Sequence, residues 1–245
     1  MTEQEWLACT DATQMLGLFL EQQWETIRIA WCSPDLQRLR KSIIRAEQAD
    51  GWRRRFWEVD REGSLTVVDR DLSERKMRLF VCACCRCVWQ TLDDKYRTAI
   101  EIAERYADGY ASSQELQDCW WMTYSIREPY IFDELSATYL ALKAARQPVE
   151  WIATTLIEPA RQSQLLRDII GNPFHPVSLD PTWLTSTAVS LAQAIYEDRA
   201  FDRLPILGDA LEDAGCTSAD ILNHCRQPGE HVRGCWVVDL VLGKE

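Results

Sequence analysis

The sequence predicts an all-α fold: a multi-helix bundle that carries one small β-hairpin insertion. Three observations lead there. Helix caps followed by apolar residues at helical spacing recur along most of the 245 residues. Only one stretch, about 56–69, switches to a β-prone pattern. Glycine and proline stand mostly where helices would stop.

Thr2 with Glu5 reads as a capping box. Asp11 is placed to cap a second helix carrying Met15, Leu16, Phe19 and Leu20. Ser33-Pro34 pairs an N-cap with proline at the first helical position, and that helix runs through Leu36, Leu39, Ile43 and Ile44 to a stop at Gly51. Phe56–Val59 and Ser64–Val68 are the two arms of the predicted hairpin, with Arg61-Glu62-Gly63 as its turn. Asp71 with Glu74 opens a helix predicted to reach Leu92, and another follows over about 93–108. In the latter Ala99, Ile102, Ala103 and Tyr106 share a face, and Gly109 ends it. Ser113 starts a helix rich in aromatics around Trp120-Trp121, which Pro129 breaks. Helices are predicted over 132–146 and 149–170, the second interrupted near Pro159 and ended by Gly171.

The run Gly171-Asn172-Pro173-Phe174-His175-Pro176-Val177 cannot be regular, because each proline removes a donor and restricts the residue before it. It reads as a stiff connector near 171–180. It separates a helical N-terminal part, 1–170, with an inserted basic segment at about 22–70, from a compact helical C-terminal part, 171–245. Helices are predicted there over 185–198, 201–214 and 217–225, the last with Thr217 and Asp220 resembling a capping box. The apolar run from Cys235 to Leu242 must be buried.

The formal net charge is −11, which repels nucleic acid phosphates and anionic membranes as general partners. Between Arg28 and Arg61, however, nine basic side chains face five acidic ones. That stretch nets +4 and leaves −15 for the rest. No basic and then apolar leader and no run of about 18 apolar residues is present, so a cytoplasmic protein with no membrane span is expected. Its ten cysteines are expected as thiols in a reducing compartment.

Two cysteine-bearing stretches could carry chemistry. In Cys82-Ala83-Cys84-Cys85-Arg86-Cys87, helical geometry puts the last three thiols at about 200°, 300° and 140° from the first, so one metal ion cannot collect all four while the helix is intact. These cysteines are read as small core hydrophobes, with metal or redox chemistry as the alternatives. The second stretch gathers Cys216, His224, Cys225, His231 and Cys235 within twenty residues. All are potential zinc ligands; His231 and Cys235 could share a helix face, and Pro228-Gly229 could turn the chain back towards them. The spacing fits no standard zinc finger. A packed helix end with a hydrogen-bonded His231 and a Cys–His catalytic pair are the competing readings.

His175, alone in the connector, is read as structural or exposed. Trp52, Arg53, Arg54, Arg55 and Trp57 combine the residue types that protein contacts favour with those that stack on single-stranded nucleic acid, and the same composition suits a plain solvated, charged face. The chain contains no P-loop, dinucleotide glycine fingerprint, Gly-x-Ser-x-Gly or His-Glu-x-x-His.

Several stretches resemble a family of uncharacterised helical proteins expanded in planctomycete-type bacteria. They are Glu5-Trp6-Leu7-Ala8-Cys9-Thr10-Asp11, Arg75–Phe80 running into the cysteine helix, Ala103–Gly109, Leu165–Phe174, and the tail from Leu179 to Glu245. Residues of about 22–70 are additional to that pattern. The family has no established activity, so the resemblance transfers no catalytic residue; it implies an all-α intracellular protein.

The expected function is a non-enzymatic interaction module, an adaptor or accessory subunit that binds another protein and needs no cofactor. The alternatives are a zinc-stabilised helical protein using the C-terminal Cys/His cluster, a thiol- or His-dependent enzyme centred on Cys225, His231 and Cys235, and a nucleic-acid-contacting subunit acting through residues 28–61.

Overall fold

A computed structural model describes residues 1–12, 14–16, 57–59, 65–67, 73–124 and 157–244. The chain divides into two compact units, Met1–Thr13 with Ser73–Glu245, and Gln14–Leu72. The connector at 171–180 runs within the first.

In the second unit, β1 (Trp57–Val59) and β2 (Leu65–Val67) are short extended segments in antiparallel register, Trp57 opposite Val67. The turn predicted at 61–63 and the helix predicted from Ser33 to Gly51 lie outside the described residues. So do Trp52, Arg53, Arg54 and Arg55, and the side chain of Trp57.

In the first unit every described α or β element is helical. α1 (Glu3–Ala8) has the predicted capping box: Thr2 Oγ1 accepts from the Glu5 amide, and Glu5 Oε2 accepts from the Thr2 amide. Its C-terminal carbonyls would be orphans. Arg167 supplies the donor, its guanidinium bonding the Trp6 and Cys9 carbonyls.

α2 (Glu74–Cys87) is capped by Ser73, not Asp71: Ser73 Oγ accepts from the Lys76 amide at 3.2 Å. It stops at Cys87, short of the predicted Leu92. Trp89–Thr91 form a 3-10 turn, held where the Arg97 guanidinium donates to the Trp89 carbonyl and Arg86 stacks 3.7 Å from the Trp89 ring. Cys82, Cys84 and Cys85 are at most 1% exposed, as the helical wheel requires of core residues. Burial pushes their thiols well above the ordinary range, so they are inert as nucleophiles.

α3 (Asp94–Ala107) buries Ala99, Ile100, Ala103 and Glu104, with Ile102 and Tyr106 only half-buried. The buried stripe is turned by roughly 80° from the predicted one, at 100° per residue. Glu104 explains the rotation. It is 2% exposed and accepts from both Arg86 on α2 and Arg199.

α4 (Ser113–Tyr124) opens with a Ser112/Glu115 capping box. α5 (Pro159–Ile170) has proline in its first turn and ends at Gly171, φ +76°. A Cβ on Gly171 would meet the Trp236 ring at 3.1 Å. α6 (Ser186–Asp198) is capped by Thr185 and ends at left-handed Arg199. A 3-10 turn, Phe201–Arg203, leads into α7 (Leu204–Asp213). α8 (Ala219–Arg226) starts from Ser218, and the box read from Thr217 and Asp220 does not form. α9 is Trp236–Leu242.

Neighbouring helices pack in the order α4, α3, α2, α5; α9 then touches α5, α6 and α8. Among the described helices none is long and apolar enough to cross a membrane.

A buried ionic knot ties these layers. Arg75 on α2 grips Asp239 on α9 through two bonds, of 2.6 and 3.0 Å, and also donates to Asp108 at the end of α3. Asp108 has no exposed side-chain surface and accepts from the Tyr196 hydroxyl of α6 at 2.6 Å. Removing one member of such a pair strands a charge away from water, which costs about 3–5 kcal/mol. Asp239→Ala is therefore expected to lower the unfolding free energy in denaturant titration by about 3 kcal/mol or more, whereas Asp209→Ala, which loses only a surface pair with Arg226, should cost under about 1 kcal/mol.

Gly208 on α7 gives a second test. A Cβ there would lie 2.9 Å from that of Cys225 on α8. Gly208→Ala should lower the melting temperature despite its better helix propensity, because overpacking costs about 1–3 kcal/mol.

Candidate metal centre

Asp168 sits in the buried stripe of α5 beside Leu165, Leu166 and Ile169. A carboxylate there must be satisfied by other elements. Burial alone would push its pKa up, but hydrogen bonds from His224 and His231 outweigh it and hold the carboxyl below the usual range. Oδ1 lies 2.5 Å from His231 Nδ1 and 3.2 Å from His224 Nε2, and Oδ2 accepts from the Val232 amide at 2.9 Å.

His224 comes from α8. Its Nε2 also lies 3.2 Å from the Cys235 thiol, which is fully buried at the N-cap of α9. His231 and Cys235 do not share a helix face. Residues 231–235 pass through a turn at Arg233-Gly234, closed by the Cys235 amide donating to the Val232 carbonyl. Gly234, φ +95°, makes that turn possible: a Cβ there would come 3.0 Å from Leu79 of α2.

Asp168, His224, His231 and Cys235 each offer a ligand atom, and all four atoms lie within 4.8 Å of one another. Ideal tetrahedral zinc, with bonds of about 2.0–2.1 Å to nitrogen or oxygen and 2.3 Å to sulfur, has ligand-to-ligand edges of roughly 3.3–3.6 Å. The two 3.2 Å contacts of His224 are close to that. A thiolate and a carboxylate would neutralise a divalent cation, which makes a buried ion tolerable. The side chain of His231 is 7% exposed, its Nδ1 is engaged by Asp168 and its ring also meets the Gln227 backbone carbonyl, so a bound ion would take over one of these contacts.

Of the five ligands expected from the sequence, the fold brings three together, His224, His231 and Cys235. Cys216 and Cys225 belong instead to the apolar core of α6–α9. Adjacent residues on a helix point about 100° apart, so with His224 turned towards α5, Cys225 faces Gly208 on α7. Asp168 was missed because it lies 56 residues before His224 in the chain. Its signal is a lone acid inside an otherwise apolar helical stripe, Leu165-Leu166-x-Asp-Ile169.

The thiol-enzyme reading fares poorly. Cys225 and Cys235 are both fully buried, and burial pushes the Cys225 thiol up to about 12 and the Cys235 thiol well above the ordinary thiol range. His175 is exposed and contacts Glu3 at 3.1 Å, as a peripheral group. No protein-family model, no curated protein and no solved structure matches this chain.

Proposed function

We propose that the chain is a non-enzymatic helical module whose C-terminal half is stapled by one zinc ion held by Asp168, His224, His231 and Cys235. The observation that carries this reading is the convergence of four potential ligand atoms within 4.8 Å of one another, three of them on buried residues and the fourth on the half-buried His231, contributed by α5, α8 and the 231–235 turn. The N, S and O donor set suits zinc, whereas magnesium and calcium prefer oxygen alone. Four protein ligands complete a tetrahedron and leave no position for substrate, which favours a structural role.

The inserted segment at about 22–70 is the part we assign to contact with another protein. Support comes from the enrichment of Trp and Arg at Trp52, Arg53, Arg54, Arg55 and Trp57 on an otherwise acidic chain.

Purified chain is expected to hold about one equivalent of zinc by elemental analysis, and Cys235→Ser or His231→Ala to fall below about a tenth. Less than a tenth in the unaltered chain would end the zinc reading. Stripping the metal should lower the melting temperature by roughly 10 °C, from ~4 kcal/mol of linkage at a thousandfold excess over Kd and ~2–4 °C per kcal/mol.

Replacing Trp52, Arg53, Arg54 and Trp57 together by Ala should abolish capture of the protein that co-purifies with the native chain while zinc content is unchanged. Retention of every partner by that variant would remove the interaction reading.

A further inference from the structure

His224 is the one ligand whose outward nitrogen is contested. Trp236 Nε1 lies 3.0 Å from His224 Nδ1, and Gln227 Nε2 lies 3.1 Å from the same atom. An indole N–H only donates, so in this arrangement Nδ1 must offer its lone pair. The ring's proton then sits on Nε2, where it faces Asp168 and Cys235. A protonated Nε2 cannot bind a metal. A neutral histidine that binds through Nε2 carries its proton on Nδ1 and donates it to a second partner.

Gln227 can be that partner. Its amide presents either NH2 or oxygen depending on how it is turned, and the two orientations are nearly isosteric. Two self-consistent arrangements therefore exist around one nitrogen. In the first, Trp236 donates to Nδ1 and the Nε2 proton satisfies the buried acid and thiol. In the second, Nδ1–H donates to Gln227 Oε1, Nε2 holds the metal, and the indole N–H lets go.

We propose that Trp236 and Gln227 compete for His224 Nδ1 and so set the affinity of the metal centre: the indole holds the metal-free tautomer, and the amide oxygen holds the loaded one. This rests on the zinc reading above. Protons balance as follows, at a pH where His231 is neutral. The His224 ring loses Nε2–H and gains Nδ1–H through water, with no net change. The Cys235 thiol gives its proton to the buffer as its sulfur takes the metal.

The ring of Trp236 also packs against the Cα face of Gly171, so Trp236→Phe keeps an aromatic in place while removing the N–H. Loss of one competing hydrogen bond should tighten zinc binding about five-fold. Gln227→Ala removes the acceptor of the loaded state and should weaken binding about ten-fold or more.

The test is a zinc titration of the full chain against a competing chelator for the unaltered protein and both variants. Long-range 15N–1H spectra of the imidazoles accompany it; the chain has only three histidines, so assignment is simple. The expected result is an Nε2–H tautomer of His224 without zinc, an Nδ1–H tautomer with zinc, and opposite affinity shifts for the two variants. If zinc binds but His224 keeps one tautomer throughout, or Trp236→Phe binds no more tightly, the competition is wrong and the zinc reading stands. If no form of the chain binds zinc, both fall.

Discussion

The arrangement of the C-terminal half depends on one carboxylate. Asp168 is buried in an apolar helix face and could not remain charged there alone. It does so because α8 and the 231–235 turn deliver two imidazoles and a backbone amide to its two oxygens. The positions of His224, His231 and Cys235 follow from that requirement, since each segment must approach α5 closely enough to serve the acid. A cation at the same point would replace hydrogen bonds with coordination and leave the segments where they are. The fold and the proposed zinc site are thus alternative ways of satisfying the same buried group.

A second buried group, Arg75, does for the helix layers what Asp168 does for the turn. It bridges α2, α9 and the end of α3, with Tyr196 of α6 completing the knot. Glu104 plays a similar part between α2, α3 and the left-handed Arg199. Polar groups, not apolar ones, therefore set which helix faces which here. Apolar stripes on α2 and α9 would tolerate rotation, whereas a bidentate guanidinium–carboxylate pair does not.

Much of the helical layout was readable from capping chemistry. The Thr2/Glu5 box, the helix over about 185–198, the stop at Gly171 and the apolar stretch beginning at Cys235 all follow local rules that need no knowledge of distant residues. The departures share a cause. α2 ends early because Arg86 and Arg97 engage Trp89, and α3 turns because Glu104 meets Arg86 and Arg199, contacts that no local pattern encodes. The metal centre divides along the same line. His224, His231 and Cys235 were visible as a dense cluster, but Asp168 joins them only through tertiary packing, and the exclusion of Cys225 depends on which way α8 is rotated against Gly208.

Arg75 and Asp239 are 164 residues apart in the chain, and the Arg167 clasp on the Trp6 carbonyl spans 161. Closing such large loops is entropically slow, and neither contact can form from one end of the polypeptide alone. During synthesis Arg75 leaves the ribosome long before Asp239 is made, so the ionic knot can close only after α9 has emerged. The α2, α3 and α4 pairings join neighbours in sequence and need no such closure, so the knot locks layers whose members have already met.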